Sequence, residues 1–175
     1  MGLFNRRKKL PADRRPLLEP DERVLAWAAV TAGDGTVVVT NLGLWLPACE
    51  HRLGWHEVHK AIWSGRELAI TAAEQVAERE GYLVMADRPV DTFQLLEPGA
   101  VPAQVRLRVT GSVTHTVHHP LPGGGVRIAA RRVPGVDGVT WTVRYDPGTS
   151  TDDAEIVAET DRLVRAAQEA AAVAD

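Results

Sequence analysis

The chain is short of the residues from which most recognisable active sites are built. Cysteine occurs once in 175 residues, at Cys49, so no intrachain disulfide can form and a reducing compartment is favoured. Lysine appears only at Lys8, Lys9 and Lys60; with the abundance of arginine, alanine and valine, this points to a bacterial gene of high GC content. No apolar run approaches a membrane span, and the best candidate, Val24–Val30, is far too short. The basic N-terminus lacks the apolar stretch of a signal peptide, and Arg6 stands where N-myristoylation needs Ser or Thr. There is no Gly-x-Ser-x-Gly, no P-loop and no dinucleotide fingerprint, and no cofactor is expected. An excess of positive charge is also missing: the net charge of −3 argues against a nucleic-acid partner for the whole protein.

What the chain does have is a regular series of reversals. Asp34-Gly35, Glu80-Gly81, Asp87-Arg88-Pro89, Pro122 to Gly125 and Asp137-Gly138 each separate apolar or alternating runs. Such pairs favour hairpins, because a tight turn needs a positive φ that glycine adopts without a steric penalty. Strands are predicted over 23–31, 36–41, 44–46, 50–57, 67–71, 75–80, 82–86, 90–96, 113–120, 125–133 and 139–146. Residues 58–64 read as a connection, and 72–79 could form a helical turn instead of a strand. Val101, Val105, Val109 and Val113 recur every fourth residue, and Pro98 and Pro102 suit a first turn, which predicts a helix over 101–113. A second helix begins near Thr151–Asp153 and carries the apolar stripe Ile156, Thr160, Leu163, Val164, Ala167 and Ala171, expected to face the sheet of the last three strands. Residues 1–20 are basic and proline-punctuated and read as a disordered tail.

Across residues 21–113 the order of elements resembles the pleckstrin-homology-like (PH/GRAM-type) domains of bacteria. The residues that carry the resemblance are Glu22 to Ala26, Gly35 to Thr40, the pair Leu42 and Leu44, and Trp55-His56-Glu57-Val58. The resemblance implies an α+β fold: a mostly antiparallel PH-like barrel closed by the helix over 101–113. Residues 114–175 would form a β-β-β-α extension, a three-stranded sheet with a C-terminal helix, packed on it. In phosphoinositide-binding members, Lys and Arg on the first hairpin grip phosphates. The loop Ala32-Gly33-Asp34-Gly35-Thr36 has an acid and no base, which disfavours that ligand here.

The six histidines fall into two groups, and His51, His56 and His115 are the weak metal candidates among them. Cys49 and His51 would share a strand face, yet Glu50 beside them is unsuited to a reactive thiolate, so a buried or half-buried structural cysteine is expected. The last hairpin supports two registers. A two-residue turn at Asp137-Gly138 sets Arg131 opposite Arg144 and, with Arg127, makes a basic strip for an anion or an acidic partner. A loop over 134–138 instead sets Arg131 against Trp141, a cation–π contact contributing about 0.5–1 kcal/mol. Trp63, beside Ser64-Gly65-Arg66, is the tryptophan expected to mark a binding face. In the tail, Leu3 and Phe4 precede Arg6, Arg7, Lys8 and Lys9, which could rest on an anionic membrane surface at about 1 kcal/mol per cation. The expected role is a non-enzymatic binding or scaffolding module for a protein partner, cytoplasmic, with peripheral contact at the inner membrane face as an option. The alternative is a small metal-dependent or hydrolytic enzyme using the histidines.

Overall fold

The structure, a computed structural model, describes residues 9–174. Eleven strands form one sheet: β1 Val24–Val30, β2 Thr36–Thr40, β3 Gly43–Trp45, β4 Leu53–Gly54, β5 Val58–Trp63, β6 Glu67–Arg79, β7 Tyr82–Asp87, β8 Asp91–Leu96, β9 Val113–Leu121, β10 Gly124–Arg131 and β11 Thr140–Tyr145. Two helices complete the fold, α1 Val101–Ser112 and α2 Ala154–Ala174. The strand order is β4-β3-β2-β1-β8-β6-β7-β11-β10-β9, with β5 beside β6. All pairs are antiparallel except β11 with β7, where Thr142, Val143 and Arg144 run parallel to Leu83, Val84 and Met85.

The α+β class is therefore as expected, but the closed barrel is not. Strand β1 meets β8 through two residue pairs only, Ala29 with Leu96 and Val30 with Leu95, and β4 and β9 end the path. The physical reason lies in β6. Its first half pairs on both sides, with β8 and with β5, and its second half leaves them to pair with β7. The strand thus carries the sheet onward instead of curling it shut. Nor do β9–β11 stand as a separate sheet, since the parallel β7–β11 seam joins them to the rest.

Two hydrophobic cores flank this spine. The first gathers Val37, Val39, Leu44, Trp55, Val58, Leu68, Ile70 and Leu95 under Val101 and Val105 of α1, so the four-residue valine spacing is the buried face of that helix. The second gathers Tyr82, Val84, Val126, Ile128 and Val143 under Ile156, Leu163, Val164 and Ala167 of α2. The predicted stripe of α2 faces this part of the sheet, and Asp153 caps it by accepting the Glu155 and Ile156 N–H groups at 2.8 and 3.3 Å.

Several local expectations are corrected. Residues 58–63 are a strand, not a connection: the partner β6 supplies the ladder that the weakly patterned Val-His-Lys-Ala-Ile-Trp does not advertise. The preceding Trp55–Glu57 is a short 3-10 turn, which carries Trp55 into the core at 2% exposure. The alanine- and glutamate-rich 72–79 is strand throughout, because pairing overrides its helical propensity. In the first hairpin the positive φ falls on Gly33, not on Gly35, whose backbone approaches Pro47 too closely to admit a Cβ.

Candidate functional site

A large concavity lies along β1. On one side β1 pairs with β2 over most of its length; on the other, among the described residues, it is laddered only at Ala29 and Val30. Beside Val24–Ala28 the sheet therefore opens into a groove of about 1290 Å3, whose far wall is Leu96 to Ala100 with Gln104 of α1. Its floor is apolar, from Val24, Leu25, Ala26 and Ala28, and its rim is basic, from Lys9, Arg14, Arg15 and Arg23. A 3-10 turn over Ala12–Arg14 sets the rim residues in place.

Two acids line this groove, Glu22 and Glu97, and Glu22 is engaged by partners outside it. Glu22 is 5% exposed, and its carboxylate accepts Thr40 Oγ1–H at 2.7 Å, Trp45 Nε1–H at 2.9 Å, Arg52 at 2.8 Å and the Glu19 N–H at 3.2 Å. Burial would raise its pKa, but these donors and the Arg52 charge outweigh it and hold the carboxyl below its ordinary range. Glu22 thus ties the entry of β1 to β2, β3 and the segment before β4.

The structure places the predicted site residues differently from either hairpin register. Arg131 pairs with Thr140, Ala130 with Trp141, and Arg127 with Arg144, because the loop spans 132–139. Arg131 neither faces Arg144 nor stacks on Trp141. It is buried, and its guanidinium donates to Val58 O at 3.1 Å and Ser112 Oγ at 3.2 Å. It therefore pins β5 and the C-terminal end of α1 to β10, where the helix dipole favours a cation. Burial, and then the Arg144 charge, lower its pKa. Arg144 bonds Asp87 at 2.9 Å, and Asp87 also accepts from His59 Nδ1 at 2.6 Å. Arg127 is exposed and directly opposite Arg144, a like-charge pairing in which, among the described residues, only Arg144 has an acid on it. Trp63 is half-buried against the first core, and its neighbour Ile62 is the exposed side chain.

The histidines do not converge: among the described residues, no group of three or more His, Cys, Asp or Glu side chains is placed to hold a metal. His51 is exposed, His56 is half-buried with its Nδ1 lacking a hydrogen-bond partner, and His115 packs on Trp141 at 5.7 Å between ring centroids. Burial lowers the pKa of both His56 and His59, against the pull of Glu57 and Asp87 respectively. Cys49 is exposed, not buried or half-buried as expected, and it follows Ala48 on a turn with φ of 59°. Of the membrane-tail candidates, Leu3, Phe4, Arg6, Arg7 and Lys8 lie outside the described residues, and Lys9 sits on the groove rim. No described helix is long and apolar enough to cross a membrane.

Sequence reasoning missed the groove. Its basic residues were visible as a charge run, but the short β1–β8 ladder that opens the sheet depends on pairing between segments about 65 residues apart, as Ala29 with Leu96 shows. Compared with family models, with curated proteins and with solved structures, the chain matches none.

Proposed function

We propose that this protein is a non-enzymatic, cytoplasmic binding module that takes an extended segment of a partner protein into the groove beside β1. The observation that carries this reading is the groove itself: among the described residues β1 is laddered on that side only at Ala29 and Val30, and the groove beside it has an apolar floor. Added strands bind by main-chain hydrogen bonds, and alternate side chains give specificity. The four cations Lys9, Arg14, Arg15 and Arg23 outnumber the two lining acids, Glu22 and Glu97, and Glu22 is held by its own partners, so the groove favours a segment with acidic flanks. The PH-like reading of residues 21–113 and the bacterial origin belong to the same proposal, supported by the run of strands that ends in α1.

The test is selection from a random peptide library displayed on phage, followed by NMR mapping of the enriched peptides on the full chain. Peptides of alternating apolar residues with Asp or Glu flanks are expected. Their shifts should centre on Val24–Ala29 and Leu96–Gln104, and Arg14→Glu with Arg15→Glu should weaken binding about tenfold. Absence of an enriched class, or shifts centred elsewhere, overturns the reading. Binding only by a chain lacking residues 2–8 also overturns it, because it assigns the groove to the protein's own N-terminus.

A further inference from the structure

A second concavity, separate from the groove, opens where α1 ends. It holds about 380 Å3, and its lining includes Trp55, Leu107, Arg108, Ser112, Arg132 and Pro134. That volume is in the range of sites for small organic molecules. Three arginines meet here. Arg108 and Arg132 line the cleft, and Arg131 lies directly behind it with its guanidinium on Ser112 Oγ.

The cluster has no carboxylate to balance it among the described residues. Arg52, Arg144 and Arg162 each have a carboxylate at 3.0 Å or closer. Among the described residues, Arg108, Arg131 and Arg132 have none within ion-pair distance. Arg108 Nε is buried and, among the described residues, has no hydrogen-bond partner. A buried donor left unpaired costs free energy that an incoming acceptor recovers.

The end of α1 would ordinarily repel an anion, because its last carbonyls carry partial negative charge. Here three of them are engaged. Val109 O accepts the Ser112 hydroxyl at 2.7 Å, Ser112 O accepts the Arg132 N–H at 2.8 Å, and Thr110 O accepts the Val113 N–H. The field in the cleft is thus set by the guanidinium groups. Apart from Asn41 and Ser112 its remaining walls are apolar: Trp55, whose Nε1–H is directed away to Thr40 O at 3.1 Å, with Leu107 and Pro134.

We propose that this cleft binds a small organic anion. Its carboxylate or phosphate is held by Arg108 and Arg132, and its flat apolar body lies against Trp55, Leu107 and Pro134. Arg131 is not a ligand; its charge raises the potential of the site from behind.

Three probes separate the parts of the proposal: phenyl phosphate, benzoate and inorganic phosphate, each titrated into the full chain and followed by NMR of backbone amides and arginine side chains. Phenyl phosphate or benzoate should shift residues 107–112 and 132–134 saturably. The aryl-bearing anion should bind about tenfold or more tightly than inorganic phosphate, through the buried ring. Arg108→Gln combined with Arg132→Gln should weaken binding at least about tenfold. Gly111 also lines the cleft, and a Cβ there would meet nothing within 4 Å, so Gly111→Leu should close the site while leaving the fold and both arginines intact. Thermal unfolding checks that each variant is folded. The proposal is overturned if no probe saturates, if shifts map elsewhere, if inorganic phosphate binds as tightly as phenyl phosphate, or if a folded Gly111→Leu or double-Gln variant binds like the natural protein.

Discussion

Single side chains here hold together segments that the sequence keeps far apart. Arg131 is the sharpest case: one buried guanidinium bonds β5 and α1 from its place on β10. Arg131→Ala should destabilise the protein by about 2–4 kcal/mol, measured by urea unfolding, because it strands two buried acceptors beside a cavity. Arg144→Ala should cost less than about 1 kcal/mol, since its bond to Asp87 is solvent-screened and its loss relieves the opposition to Arg127. Had the two arginines faced one another, both changes would stabilise. Gly125 is constrained by close approach: a Cβ would lie 2.7 Å from Asp146 Oδ2, 2.8 Å from His118 Nε2 and 2.8 Å from the His119 carbonyl. The two side chains can move but the carbonyl cannot, so Gly125→Ala should cost about 1–3 kcal/mol in the same measurement. The glycine-rich run at 123–125 is thereby explained as packing against residues 146–149, to which Gly125 N–H also bonds through Thr149 Oγ1 at 3.0 Å.

Among the elements, α2 is held by more than its apolar stripe. Arg79 lies over the rings of Tyr82 and Tyr145, 5.9 Å from each centroid, and donates to both hydroxyls. Those hydroxyls donate in turn to Asp161 at 2.6 Å and Thr160 at 2.9 Å on the helix. Burial, with the hydrogen bond to Asp161, pushes the Tyr82 pKa up to about 12, so the hydroxyl stays a donor at any ordinary pH. Tyr82→Phe should cost about 1 kcal/mol and speed amide exchange in α2 more than in α1. The helices were legible in the sequence because each carries its own evidence: a four-residue valine spacing in α1, a capped apolar stripe in α2. Most strands were legible from alternation and turns. What escaped was set by distant partners. The strand nature of 58–63 depends on β6, the hairpin register on an eight-residue loop with two competing turn signals, and the buried place of Arg131 on the meeting of three elements. Both concavities escaped for the same reason, as each lies between segments remote in sequence.

For the whole molecule, proton uptake links pH to folding. His56 and His59 have lowered pKa values in the folded state, chiefly through burial. The unfolded chain therefore takes up protons first as the pH falls through 6.5, and stability present at neutral pH declines across that window. Glu22 acts in the same direction lower down: its depressed pKa gives stability above about 4.5 that is lost as the carboxylate protonates. Urea midpoints should fall from pH 7.5 to 5.5 and again below 4.5. His59→Gln should flatten the first decline, and Glu22→Gln the second while lowering stability at neutral pH.

The parallel seam between β7 and β11 also bears on synthesis. Tyr82 and Val84 emerge from the ribosome well before Val143, Ile156 and Val164, the residues that cover them. Until that later half is made, β7 exposes an edge and an apolar face together, the combination that recruits other nascent chains. Chains arrested near residue 113 should therefore aggregate or engage chaperones, and release from that state should coincide with translation of the final helix.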